Sequence, residues 1–324
     1  IWDAATLESV ARLPPHDTRL ISLALSSDDK WAVAGDIQGN LVLWNFATRE
    51  RKWTRKHHDK RFDGLAFSSD SEMIATANMD GLLKVVNVSD GVERFSLPLV
   101  RSNNQSNGAD VSELRAIDFH DPGGRKVTFS PDGRYLASGG KLAVLVEVSS
   151  EQIIYKFPPF TKVPTFSPDG RQIATGNPVE RSITLWDCDD KSKPTPRKTW
   201  QGDSSNRFHD LCFRSDGVQL VSAQGAHVSV WDIKTTKRKM RLANVATSDM
   251  TYWLAISPTD DVIACGSEAE VTLWDYTGKD DSVNVAPLSF EPWLLEFSPD
   301  GKKIAVGSHR GQQGLSASVA ESPG

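Results

Sequence analysis

One phrase recurs seven times in this chain, and it limits the fold more than any other feature. An apolar anchor is followed by Ser and then by a polar turn. The copies read Leu25-Ser26-Ser27-Asp28-Asp29, Phe67-Ser68-Ser69-Asp70-Ser71, Phe129-Ser130-Pro131-Asp132-Gly133 and Phe166-Ser167-Pro168-Asp169-Gly170. They continue as Phe213-Arg214-Ser215-Asp216-Gly217, Ile256-Ser257-Pro258-Thr259-Asp260 and Phe297-Ser298-Pro299-Asp300-Gly301. Successive anchors lie 42, 62, 37, 47, 43 and 41 residues apart. Pro followed by Asp-Gly is tight-turn chemistry: Pro presets φ and Gly accepts a positive φ.

A short apolar β-type run follows each turn, as at 135–139 and 303–307. A second phrase then closes the unit: alternating β-branched or Leu residues ending in Trp-Asp. It stands at Trp2-Asp3, Trp186-Asp187, Trp231-Asp232 and Trp274-Asp275, with weaker copies at Trp44-Asn45, Val86-Asn87 and Val146-Glu147. Period-2 alternation between frequent turns predicts short antiparallel strands throughout and no amphipathic helix.

Paired phrases at this period resemble the WD-repeat β-propeller family over nearly the whole chain. The resemblance implies an all-β fold: a seven-bladed propeller of four-stranded antiparallel blades, strands a to d from axis to rim. The Ser-Pro-Asp-Gly phrase is then the a–b turn, and Trp-Asp ends strand c. The chain opens on an orphan strand c and a strand d near 8–13. It ends on an orphan a and b near 293–298 and 303–308. The two fragments sum to one blade, so the last blade is completed by the N-terminal strands and no sheet edge dangles. The alternative is a pair of cuts through a longer propeller array. One domain over 1–310 and a disordered tail over 311–324 follow from this reading.

Many WD-repeat blades carry a hydrogen-bonded tetrad: the strand-c Trp, a strand-b Ser or Thr, a His before strand a, and an Asp six residues before the Trp. That last position holds Gln38, Asp80, Gly140, Glu180, Gly225 and Glu268, and only Asp80 matches. His16, His57, His58 and His209 are the available histidines, and no blade is expected to hold all four members.

Composition fits a folded domain: 39% apolar and 24% charged residues, with a net charge of −5. No apolar run approaches the ~20 residues of a membrane helix. The mild acidity argues against nonspecific nucleic-acid binding by the whole surface. Three scattered cysteines, Cys188, Cys212 and Cys265, fit neither a disulfide framework nor a zinc site. They read as reduced thiols, which points to the cytoplasm. The start at Ile1-Trp2-Asp3, without Met, suggests a segment of a longer product whose own signal is out of view.

Catalytic motifs are missing. There is no GxxxxGK[ST], HExxH or GxSxG, and Gly123-Gly124-Arg125-Lys126 is too short for a phosphate loop. Asp118, His120 and Asp121 could converge on a metal, but such clusters are usually solvated loop residues. The expectation is a non-enzyme without cofactor or metal.

In the family's geometry the d–a and b–c connections share one face, the top. A basic d–a loop, Arg55, Lys56, Lys60 and Arg61 with His57 and His58 between them, maps there, as does an insertion at 101–124. An acidic or phosphorylated peptide would suit that rim. The bland alternative for 49–61 and for 234–241 is a charged outer strand that guards the blade edge. Four residues before each anchor sit Ile21, Asp63, Arg125, Lys162, His209, Tyr252 and Trp293, entering strand a near the axis. Tyr252 and Trp293 lie on adjacent blades and make candidate aromatic anchors.

Two functions fit. The first is a protein-interaction scaffold that binds a peptide or domain on its top face. The alternative is a sensor or docking module of a larger signalling enzyme, a kinase or NTPase, whose catalytic domain lies outside this segment. A membrane partner is not expected, and nucleic acid lacks the interleaved aromatics it would need.

Overall fold

The computed structural model describes residues 1–14, 16, 18–78, 81–99, 126–140, 142–202, 208–224, 227–243, 253–267, 270–275, 284–288 and 292–308. Every regular element among them is a β-strand. β1 (Trp2–Asp3) opens the chain. Blade 1 is β2 (Leu20–Leu25), β3 (Trp31–Asp36), β4 (Asn40–Asn45) and β5 (Arg51–Lys56). Blade 2 is β6 (Phe62–Phe67), β7 (Met73–Asn78), β8 (Leu82–Asn87) and β9 (Glu93–Pro98). Blade 3 is β10 (Val127–Phe129), β11 (Tyr135–Ser138), β12 (Val144–Glu147) and β13 (Gln152–Lys156). Blade 4 is β14 (Lys162–Phe166), β15 (Gln172–Asn177), β16 (Ser182–Asp187) and β17 (Thr195–Gln201). Blade 5 is β18 (Phe208–Phe213), β19 (Gln219–Gln224), β20 (His227–Asp232) and β21 (Lys237–Ala243). Blade 6 is β22 (Trp253–Ile256), β23 (Val262–Ser267), β24 (Glu270–Asp275) and β25 (Asn284–Pro287). β26 (Pro292–Phe297) and β27 (Lys303–Ser308) belong to blade 7.

Blade 7 joins both ends of the chain. β1 pairs with β27, Trp2 opposite Ile304 and Asp3 opposite Lys303. Its outer strand is shorter than the sequence suggests. A single bridge, Trp2 to Ser9, and the bond from Asp3 N to Glu8 O stand in its place. The inner strands touch in ring order, and β26 returns to β2, so the propeller closes. Lys303 Nζ meets Asp29 Oδ2 at 2.6 Å across that closing seam.

The recurrent turn has one hydrogen-bond plan. The Ser hydroxyl donates to the Asp two residues on, at 2.5 to 2.7 Å in Ser26–Asp28, Ser68–Asp70, Ser130–Asp132, Ser167–Asp169 and Ser298–Asp300. The same hydroxyl accepts the first amide of strand b, as from Tyr135 N at 2.9 Å. The Asp accepts the amide one residue ahead of that strand-b amide, as from Arg134 N to Asp132 at 3.1 Å. The next residue must take a left-handed backbone. Gly133, Gly170, Gly217 and Gly301 do so without a Cβ to clash, whereas Asp29 and Ser71 take φ near 60° in blades 1 and 2.

The core lies between blades. Alternating side chains of each sheet pack on the next, and Trp44, Trp186 and Trp231 are buried there, while Trp2 and Trp274 are partly buried against neighbouring clusters. The insertion at 101–124 and the tail at 311–324 lie outside the described residues.

Candidate functional site

The d–a and b–c connections share one face. In blade 1 His57 N and His58 N both donate to Gly39 O, at 3.0 and 3.2 Å. Blade 4 repeats this, with Gly202 N donating to Arg181 O at 2.7 Å. This top face leads to the axis, where residues entering the inner strands form a mouth.

Arg19 precedes β2 and Arg61 precedes β6, while Asp63 and Lys162 sit in β6 and β14. Arg61 Nε lies 3.6 Å from Asp63 Oδ1. Burial, then the neighbouring Arg61 charge, pulls Arg19 below its ordinary range. Burial also takes the Lys162 ammonium down to about 8, partly offset by Asp63. Among the described residues, Arg19, Arg61 and Lys162 thus share the mouth with the Asp63 carboxylate, and burial strips solvation from both Arg19 and Lys162. Asp63 and Lys162 were legible in the sequence as entrance residues. Arg19 was not, because it lies six residues before its anchor rather than four.

Deeper in the channel a second charged set spans the axis. Lys126, just before β10, bonds the Asp210 carboxylate of β18, two blades away. Asp210 also accepts Leu211 N at 2.9 Å and Ile256 N at 3.4 Å. Burial pulls Lys126 down, but Asp210 and Glu296 more than offset it and hold it above the ordinary lysine range. Glu296 of β26 is raised to about 7, chiefly by burial, with Lys126 opposing and Asp210 reinforcing. Cys212 beside them is pushed up to about 12 by burial and then by Asp210, so its thiol is a poor nucleophile. Sequence reading missed this set. Its only signal was ionisable side chains inside otherwise apolar inner strands.

The basic d–a loop divides in two. Arg55 and Lys56 belong to the exposed outer strand β5, well out from the axis. Lys60 and Arg61 lie in the connection that leads to the mouth. The histidines between them turn inward. His58 Nε2 bonds Thr76 Oγ1 at 2.8 Å and stacks edge-on against Phe62. His57 is lowered to about 4, first by burial and then by Lys84 and His58. The second basic stretch falls on β21, an outer strand. Tyr252, Arg125, Asp118, His120 and Asp121 lie outside the described residues, as do the side chains of Trp293 and His209. Among the described residues no group of three or more His, Cys, Asp or Glu is placed to hold a metal ion. No helix among them is long and apolar enough to cross a membrane.

The tetrad survives in fragments. In blade 1 its carboxylate comes from Asp36, two residues before the expected position. Asp36 is fully buried and bonds His16 Nε2 at 2.9 Å, Asn40 Nδ2 at 2.7 Å and the Thr18 hydroxyl. Burial would raise Asp36, but these bonds hold it below the ordinary carboxylate value. Blade 2 keeps the His–Thr pair without a Trp. Blades 4 and 5 keep the Trp–hydroxyl pair, Trp186 with Thr175 and Trp231 with Ser222, each at 2.9 Å.

The family model "WD domain, G-beta repeat" matches residues 7–45 and 49–87. Those spans run from strand to strand through blades 1 and 2, and the same hydrogen-bonded unit is then repeated around the closed ring. The chain is a seven-bladed β-propeller whose first two blades match WD repeats. WD-repeat propellers are generally non-catalytic folds that bind proteins or peptides. No curated protein matches this one.

Proposed function

We propose that this WD-repeat propeller is a non-enzymatic scaffold that takes an acidic or phosphorylated peptide, or a domain presenting one, at its top mouth. One observation carries the reading. Arg19, Arg61 and Lys162 lie around Asp63 at the mouth, and the Lys162 ammonium is under-solvated. An incoming phosphate or carboxylate would meet two guanidinium groups and an ammonium there, and Arg favours both. Lys60 extends the rim, and Arg55 and Lys56 add long-range attraction from β5. Arg125, His209, Tyr252 and Trp293 enter the same mouth in this reading, the two aromatics as apolar anchors.

A peptide array tests it. Phosphoserine peptides and their unphosphorylated counterparts are probed with the whole chain and with a Tyr252→Ala/Trp293→Ala variant. Selection of acidic or phosphorylated peptides by the parent, and its loss in the variant, is the expected result. Selection indifferent to charge would refute the proposed chemistry. Selection retained by the variant would remove the aromatic anchors.

A further inference from the structure

The outer strands repeat one irregularity. In blades 1 to 5 the pairing of strands c and d skips one residue of strand d, a β-bulge. The skipped residues are Lys52, Arg94, Ile154, Arg197 and Lys239. Four are cations, and those of blades 1, 2 and 4 reach back along their own blade. Lys52 Nζ lies 4.3 Å from the centre of the Trp31 ring, Arg94 Nε bonds Asn87 Oδ1 at 2.5 Å and Arg197 Nη1 stands 3.4 Å from Asp187 Oδ1. A charge on the bulge of an edge strand keeps a second strand from pairing there.

Blade 3 lacks that guard. Ile154 sits on its bulge and packs, half-buried, on the cluster of Phe157 and Trp186. Glu147, at the place of Asn87 and Asp187, takes the Ser150 hydroxyl at 2.7 Å instead of a cation. The rest of β13 is as lightly defended. It holds Ile153 and Tyr155, one Lys and no Pro. By contrast β9 and β17 contain Pro98 and Pro196, and β5 and β21 each carry four cations. This edge is also self-complementary. Residues 151–156 read Glu-Gln-Ile-Ile-Tyr-Lys, with Glu151 and Lys156 exposed at opposite ends. Neither forms an ion pair with a described residue. A second copy laid antiparallel brings each Glu151 beside the Lys156 of the other copy.

We propose that β13 is the interface of a homodimer, in which the outer strands of two copies pair antiparallel and join two four-stranded blades into one continuous sheet. Main-chain bonds along the open edge supply the attraction. Ile154 and its copy meet near the centre of the seam, and the two Glu151–Lys156 pairs fix direction and register. A two-fold axis through the seam makes the contact isologous, so assembly stops at two copies.

Analytical ultracentrifugation of the whole chain tests this. The parent should sediment as a monomer–dimer equilibrium. Ile154→Lys restores the residue type of blades 1 and 5, and it should weaken dimerisation about tenfold or more while the chain stays folded. Glu151→Lys and Lys156→Glu each set like charges across the seam and should weaken it similarly. Glu151→Lys/Lys156→Glu re-pairs opposite charges and should recover the parent constant. Should Ile154→Lys not fold, the charge series decides alone. A monomer at every concentration up to the solubility limit would overturn the proposal. So would parent-like dimerisation in a folded Ile154→Lys protein, or a double swap that associates no better than either single variant.

Discussion

In blade 5 the indole Nε1 of Trp231 donates to the hydroxyl of Ser222 at 2.9 Å, tying strand c to strand b inside the buried sheet. The same register position is Ala34 in blade 1 and Cys265 in blade 6, opposite neighbours of Trp44 and Trp274. Trp44 Nε1 and Trp274 Nε1 are buried and find no acceptor among the described residues. Blade 3 has the converse fault. Ser138 keeps the hydroxyl, Val146 replaces the Trp, and Ser138 Oγ is buried without a partner among the described residues.

Ala34→Ser should therefore stabilise the protein. Asp36 accepts from His16 Nε2, and His16 Nδ1 is buried without a partner among the described residues. A hydroxyl at position 34 would accept from Trp44 and donate to His16. The expected gain is about 1 kcal/mol, read as a rise in the urea midpoint at constant slope. A lower midpoint would mean that the two rings do not share the site.

Ser138→Ala removes a buried hydroxyl that makes no bond, so it should gain up to about 1 kcal/mol. Ser222→Ala leaves the Trp231 N–H unpaired and should cost about 1–3 kcal/mol. Denaturant curves for the pair check the contrast. Equal losses would show that Ser138 contributes a bond after all.

Gly301→Ala and Gly217→Ala separate backbone strain from collision. Both glycines have φ near +70°. A Cβ on Gly217 would meet nothing nearer than Pro168 at 3.8 Å, but one on Gly301 would land on Thr259 Oγ1. Gly217→Ala should cost about 1 kcal/mol and Gly301→Ala more, with part recovered in Gly301→Ala/Thr259→Ala. Equal costs in thermal melts would contradict the packing of those turns.

Glu296 makes stability depend on pH. Its carboxyl titrates near 7 in the folded chain against the ordinary 4.5, chiefly because it is buried. The folded state thus binds the extra proton between these values. The stabilisation is complete below pH 4.5 and is lost as pH rises through 7. Glu296→Gln should flatten that part of the profile, by at most about 3 kcal/mol. An unchanged slope between pH 5 and 8 would remove Glu296 as its source.

Much of this fold was legible because turn chemistry is local. Ser, Asp and Gly satisfy one another within five residues, so each a–b turn announced itself, and the matching end fragments announced blade 7. The tetrad was legible only in part. Asp36 took the carboxylate's role from a site two residues away, which a fixed spacing cannot reveal. Lys126, Asp210 and Glu296 meet only because the ring closes, and sequence distance carries no trace of that.

The most direct test of the proposed mouth uses an acidic phosphoserine peptide selected on the array by the parent chain. Its affinity is measured for Lys162→Met/Arg61→Met and for a charge-matched control, Lys237→Met/Lys239→Met, on the outer strand of blade 5. The mouth variant should bind about tenfold or more weakly with an unchanged melt, and the control should bind like the parent. Equal binding by both variants, or loss in the control alone, would contradict a binding site at the axis.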